Sequence, residues 1–99
     1  MTRNVGVGYK AGHDITTGTD NVFIGYQAGD LLTTGDNNII IGKDAAFSAV
    51  GVDSEIVIGS GATGEGTNTI TLGNSSITAI HAQVQSISCL LYTSDAADE

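Results

Sequence analysis

Short apolar runs that each end in a glycine recur along the chain at a nearly constant spacing. In Asn21-Val22-Phe23-Ile24-Gly25, for example, three apolar residues lie between an asparagine and a glycine. The closing glycines are Gly8, Gly25, Gly42, Gly59 and Gly73, which are 17, 17, 17 and 14 residues apart. Three residues after each of them stand Ala11, Ala28, Ala45, Ala62 and Ser76. Matches at fixed offsets indicate one structural unit repeated five times.

The residue types in these runs predict short strands. Runs such as Ile39-Ile40-Ile41 and Ile56-Val57-Ile58 are β-branched, and such side chains fit a pleated surface better than a helix. A period of this length is one coil of a β-solenoid, because helical repeats need about 33 residues or more. Residues 1–76 are therefore predicted to form an all-β parallel β-roll or β-solenoid of about five short coils.

Side-chain alternation divides each strand between two faces. The first and third positions of the runs share a parity, and we expect them to line the roll interior. These positions form two columns, Val5, Val22, Ile39, Ile56 and Ile70, and Val7, Ile24, Ile41, Ile58 and Leu72. The middle column then points outward, and its large members Phe23, Ile40 and Val57 predict a trimer interface rather than a wet surface. Parity alone does not say which neighbour they meet.

The repeat ends after Ser76, and two further segments follow. Residues 77–88 are rich in β-branched residues and partly alternating, which favours a strand, although Ile77, Ile80, Val84 and Ile87 also have heptad-like spacing. We interpret this segment as a β-strand connector to a following domain. Residues 89–99 fit neither pattern and resemble a translated sequencing-library adaptor, so we interpret them as a non-native tail.

Composition argues against nucleic-acid binding, membrane insertion and disulfide stabilisation. The 99 residues carry 11 acidic and 3 basic side chains, a net charge of -8, which offers no footprint for nucleic-acid phosphates. No stretch is apolar enough to predict membrane insertion. The single Cys89 excludes an internal disulfide, and the acidic surface favours solubility.

Candidate catalytic and ligand-binding chemistry is sparse. Gly59–Gly64 reads G-x-G-x-x-G after a strand, but a nucleotide site needs a helix to begin there, and Glu65-Gly66 predicts a turn. The acids Asp20, Asp36 and Asp53 lack the spacing of a calcium β-roll and are interpreted as turn residues. No catalytic constellation, metal site or cofactor site is predicted, and His13 and His81 are interpreted as surface residues.

Three motifs carry a family resemblance: Asn21 to Gly29, Thr33-Thr34-Gly35 and Asn38 to Gly42. They resemble the head repeats of trimeric adhesins, which occur in bacteriophage tail fibres and in trimeric autotransporter adhesins. The resemblance implies a left-handed parallel β-roll and a homotrimer, and it extends over residues 4–76. Residues 73–88 resemble the join before an intramolecular chaperone domain of the endosialidase type, a domain that this sequence lacks.

The resemblance implies a structural and host-attachment segment of a homotrimeric phage tail fibre, located in the virion. The alternative is the head of a trimeric autotransporter adhesin on a bacterial surface. Either protein would meet a cell-surface receptor, which the generic turn chemistry does not identify. A third, improbable alternative is a nucleotide-binding enzyme that uses Gly59–Gly64; we predict that the chain is not an enzyme.

Overall fold

Five three-residue strands form one parallel sheet in the computed structural model, which describes residues 2–84. The strands are β1 (Val5–Val7), β2 (Val22–Ile24), β3 (Ile39–Ile41), β4 (Ile56–Ile58) and β5 (Ile70–Leu72). They lie side by side in chain order, and each is in register with the next, with Val5 opposite Val22 and Ile56 opposite Ile70. The predicted all-β solenoid with a repeat of about 17 residues is confirmed.

Hydrogen bonds between successive coils hold the stack together. On the sheet side, the Gly25 N–H donates to the Val7 carbonyl at 2.7 Å and the Gly42 N–H donates to the Ile24 carbonyl at 2.8 Å. On the return side, the Gly29 N–H donates to the Ala45 carbonyl at 2.9 Å. Because these backbone groups find their partners one coil away, a single coil cannot satisfy its own backbone.

The interior lies on the opposite side of the strands from the one predicted. The middle column is buried, with Phe23, Ile40 and Val57 exposed by 1%, 0% and 0%. The columns predicted to be interior face outward instead: Ile24, Ile58, Ile70 and Leu72 are exposed, and Val22, Ile39, Ile41 and Ile56 are half-buried. The predictions of the roll interior and of a trimer interface at the middle column are therefore both wrong.

Small residues on the return side explain how the large middle column fits inside. Ala28, Ala45 and Ala62 are fully or almost fully buried and belong to the same core as Phe23. A Cβ atom added to Gly29 would lie 2.5 Å from the Phe23 ring. The coil is thus narrow, and the large side chains of the strand pack against small residues on the return side.

The glycine that closes each strand is required by conformation and by space. Gly25 has a φ of 127°, in a region that residues with a side chain rarely adopt. A Cβ atom at this position would also lie 2.8 Å from the backbone of Gly42, one coil away. The predicted structural glycines therefore allow the coils to turn and to stack closely.

The segment after β5 does not form the predicted strand over the residues described. Residues 77–84 are assigned neither to a strand nor to a helix, and they are exposed throughout. The Ile77 N–H donates to the nearby Asn74 carbonyl at 3.1 Å, and within the described chain no backbone hydrogen bond joins residues 77–84 to a neighbouring coil, as a strand would need. Residues 85–99, which include the rest of the predicted connector and the predicted non-native tail, lie outside the described residues.

A candidate interaction surface on the sheet

The outward side of the sheet carries two aliphatic columns, called here the outer columns. They are Val5, Val22, Ile39, Ile56 and Ile70, and Val7, Ile24, Ile41, Ile58 and Leu72. Their six most exposed members range from 38% at Ile24 to 66% at Ile70. Because the strands pair in register, these side chains form one continuous apolar surface without a charged residue. Soluble monomers rarely expose such a contiguous surface, which indicates an interaction site.

A buried asparagine ladder fixes which side of each strand faces out. Asn21 and Asn38 precede β2 and β3 and are fully buried. The Nδ2 group of Asn21 donates to the Gly35 carbonyl at 2.8 Å, and that of Asn38 donates to the Val52 carbonyl at 2.7 Å. Each asparagine lies two residues before a middle-column residue, so the asparagine and the middle-column side chain point to the same, inward side.

Glu55 takes the place of asparagine in the fourth coil, and it is also fully buried. Its Oε1 accepts a hydrogen bond from the Ser48 N–H at 2.9 Å, and its Oε2 accepts one from the Gly66 N–H at 2.7 Å. A Cβ atom at Gly64 would collide with this carboxylate. The longer glutamate side chain therefore fits a coil in which Gly64 leaves room and the next strand begins three residues early.

The sequence analysis did not predict this ladder, because it treated the asparagines only as boundaries of the apolar runs. The available signal was their constant spacing, with Asn4, Asn21 and Asn38 at 17-residue intervals. A residue that only needs to favour a solvated turn can be replaced by Ser, Asp or Gly. Within residues 2–84, no buried side-chain nitrogen or oxygen lacks a hydrogen-bond partner.

The turn acids bond between coils rather than only to water. The Arg3 guanidinium donates to both carboxylate oxygens of Asp20, at 2.6 and 3.0 Å. This hydrogen bonding from Arg3 lowers the pKa of Asp20 below its ordinary value. Asp36 Oδ1 accepts from the Thr19 N–H at 2.8 Å, and Asp53 Oδ1 accepts from the Asp36 N–H at 2.8 Å. These acids act as inter-coil connections on an exposed edge.

Two tyrosines stack on another edge of the solenoid. The rings of Tyr9 and Tyr26 lie 5.3 Å apart at an interplanar angle of 16°. The Lys43 Nζ lies 5.9 Å from the centre of the Tyr26 ring. The three residues directly follow the closing glycines of consecutive coils, so the stack repeats the solenoid spacing.

The other candidate motifs do not assemble into a site. Gly59–Gly64 forms a turn with an isolated bridge at Thr63, and no helix begins there to hold a pyrophosphate. His13, for which no partner was predicted, contacts the neighbouring Asp14, with Nδ1 2.8 Å from Oδ1 on an exposed surface. Among residues 2–84, no group of three or more His, Cys, Asp or Glu side chains could hold a metal ion.

The fold and the exposed sheet define the class: a β-solenoid repeat protein with one extended apolar side. No family model, curated protein or solved structure matches the chain. In the part of the chain that the structure describes, no helix is long and apolar enough to cross a membrane.

Proposed function

We propose that the chain is a structural, host-attachment segment of a homotrimeric bacteriophage tail fibre. The observation that carries the proposal is the uncharged aliphatic surface of the outer columns, which a water-exposed protein needs to cover. The chain associates with two identical copies through this surface, while Phe23, Ile40 and Val57 fill each chain's own core.

Identical chains are suitable partners because the apolar surface repeats along the stack. Equivalent side chains recur on every coil in parallel register, so a second stack can place its own outer columns alongside over the whole length. Burying a half-exposed aliphatic side chain contributes about 1 kcal/mol, and the contribution grows with each coil. Cyclic symmetry closes such an assembly, so that no chain is left with unpaired outer columns.

The charge distribution supports the same proposal. Every charged side chain of residues 2–84 lies outside the outer columns, so the sheet side can associate while acidic side chains elsewhere keep the assembly soluble. A stack of coils held together by inter-coil hydrogen bonds is also suited to a rod-like structural element, which needs no catalytic site. The resemblance of Asn21 to Gly29 to adhesin head repeats supports attachment as the biological role.

The head of a trimeric autotransporter adhesin is the second candidate, because the same solenoid and apolar surface would serve it. Genomic context separates the two. A downstream chaperone domain beside tail genes supports the fibre and a virion location, whereas an export signal and a membrane-anchor barrel support the adhesin and a bacterial surface. A cell-surface receptor is the further partner in either case.

Light scattering on the purified chain tests the trimer. We expect a mass three times the 10.0 kDa of one chain. Ile41→Glu places a charge in the centre of the outer columns and should give a folded monomer. Thr17→Glu adds the same charge on an exposed turn outside the sheet and should leave the trimer intact. A wild-type chain that remains a folded monomer at every soluble concentration would overturn the proposal.

A further inference from the structure

A second apolar feature lies away from the sheet, on the return side of the second and third coils. It is a groove of about 310 Å³ between residues 27–31 and residues 44–50. Leu31 and Val50, exposed by 60% and 56%, contribute to its lining, together with the almost buried Phe47. This size and apolar lining are typical of a site that receives a small ligand or a side chain.

The groove occurs where the third coil departs from the repeat. In the second coil the return segment reads Ala28-Gly29-Asp30-Leu31-Leu32, whereas the third reads Ala45-Ala46-Phe47-Ser48-Ala49. Ala46 thus replaces the glycine that the first two coils share, and Phe47 stands where those coils have His13 and Asp30. Structural repetition does not require this change, and departures from a local pattern are expected where a protein binds something.

Two carboxylates, Asp30 and Asp44, belong to the groove lining, and no lining residue is basic. Among the described residues, the Asp30 side chain makes no hydrogen bond or ion pair. Asp44 contacts Lys43 at 3.0 Å, but both side chains are exposed, and such surface pairs are weak. The groove therefore combines an apolar lining with two carboxylates, of which only Asp44 has a lysine partner, and that pair is exposed and weak.

We propose that this groove docks a basic, aliphatic-rich peptide segment of a partner protein. Aliphatic side chains of the segment pack on Leu31, Phe47 and Val50, and its lysine or arginine side chains pair with Asp30 and Asp44. Charge complementarity favours a basic segment in this groove. A second copy of this acidic chain would instead bring like charge to Asp30 and Asp44. This inference is independent of the trimer, since the groove shares no residue with the outer columns.

The test is titration of the ¹⁵N-labelled full chain with two capped pentapeptides, KLKLK and ELELE, followed by NMR. We expect KLKLK to shift the amide signals of Leu31, Phe47 and Val50, and ELELE to leave them unchanged. The double variant Leu31→Ser, Val50→Ser should weaken binding about tenfold or more, because two apolar contacts are lost. Both positions are exposed, so the variant should fold.

A charge variant separates the two parts of the proposal. Asp30→Asn with Asp44→Asn should weaken KLKLK binding and remove the preference over ELELE, whereas Asp14→Asn with Asp53→Asn removes the same charge outside the groove lining and should not. Equal binding of both peptides to the wild type, or no shift with KLKLK, would overturn the proposal. Shifts at Leu31 and Val50 on simple concentration of the chain would assign the groove to a second copy and overturn it too.

Discussion

Asn21 and Asn38 are joined through one oxygen atom. Asn21 Oδ1 accepts both the backbone N–H of Asn38 at 2.9 Å and its side-chain Nδ2 at 3.1 Å. The same pair of bonds connects Asn4 to Asn21 at 2.9 and 3.1 Å, and Asn38 Oδ1 accepts the Glu55 N–H at 2.9 Å. The ladder thus runs through the stack and carries one polar column inside an otherwise apolar core, so its integrity should be essential to folding.

Asn38→Ala should strongly destabilise the fold. The change leaves the Val52 carbonyl and the Glu55 N–H buried without their side-chain partners. Each unsatisfied group costs about 1–3 kcal/mol, so we expect a loss of roughly 3–5 kcal/mol in the free energy of unfolding. Urea denaturation measures it. Asn74→Ala, which removes an exposed asparagine, is the matched control and should cost less than about 1 kcal/mol.

Neighbouring residues on opposite faces of β2 allow the position of the core to be tested directly. Phe23→Ala removes a buried ring and should cost about 3–5 kcal/mol, whereas Ile24→Ala on the outward side should cost far less in the isolated chain. Thermal or urea unfolding under conditions where the chain is monomeric checks this. An equal or larger loss for Ile24→Ala would contradict the placement of the core.

Glu55→Gln should destabilise the shortened fourth coil although the size of the side chain is unchanged. Both carboxylate oxygens accept backbone N–H groups, and glutamine would place an amide donor against one of them. We expect a loss of about 2–4 kcal/mol in the free energy of unfolding by urea denaturation. Glu65→Gln, on an exposed position, controls for the loss of charge. Similar values for both variants would show that the buried hydrogen bonds are not important.

Substitutions at two positive-φ positions in the same turn should differ in their effect on stability. Gly25→Ala introduces a Cβ atom against the Gly42 backbone and should cost more than about 1 kcal/mol. Gln27 also has a positive φ, of 56°, and the equivalent residue in the fourth coil is Gly61. Gln27→Gly should therefore be neutral within about 1 kcal/mol. Melting temperatures of the two variants measure the difference, and a destabilised Gln27→Gly would contradict it.

The ion pair between Arg3 and Asp20 predicts a weak pH dependence at acidic pH. Hydrogen bonding from Arg3 lowers the pKa of Asp20 in the folded chain. The resulting stabilisation is present above the unfolded-state pKa of about 3.9 and is lost as the pH falls through the lower folded-state value. Asp20→Asn should lower the melting temperature slightly at neutral pH and by less in strong acid. Arg3→Gln should likewise make the melting temperature depend less on pH in the acidic range. An unchanged dependence of the melting temperature on pH in both variants would exclude the ion pair as its cause.

The period and the strands could be predicted because they rest on local chemistry. Glycine at the end of each strand is required by a backbone conformation, and Val22-Phe23-Ile24 has a β-branched composition wherever it lies. Parallel stacking in register follows from the nearly constant spacing of these units, which shortens only before the fifth strand. The ladder was predictable in principle from the spacing of Asn4, Asn21 and Asn38. An asparagine also favours turns, however, so its presence alone does not distinguish a turn residue from a buried hydrogen-bonding residue.

The sequence by itself determined a stack of five strands and the closing glycine of each. Only the tertiary structure decided which side of the strands is the inside. Alternation separates Phe23 from Val22 and Ile24 but is symmetric, so it assigns no direction to either set. The direction depends on what lies across the coil: small residues such as Ala28 and Gly29 leave room for the Phe23 ring, and carbonyl groups of the return segment bond the inward asparagines. These contacts join residues distant along the chain, and they turn the outer columns toward solvent.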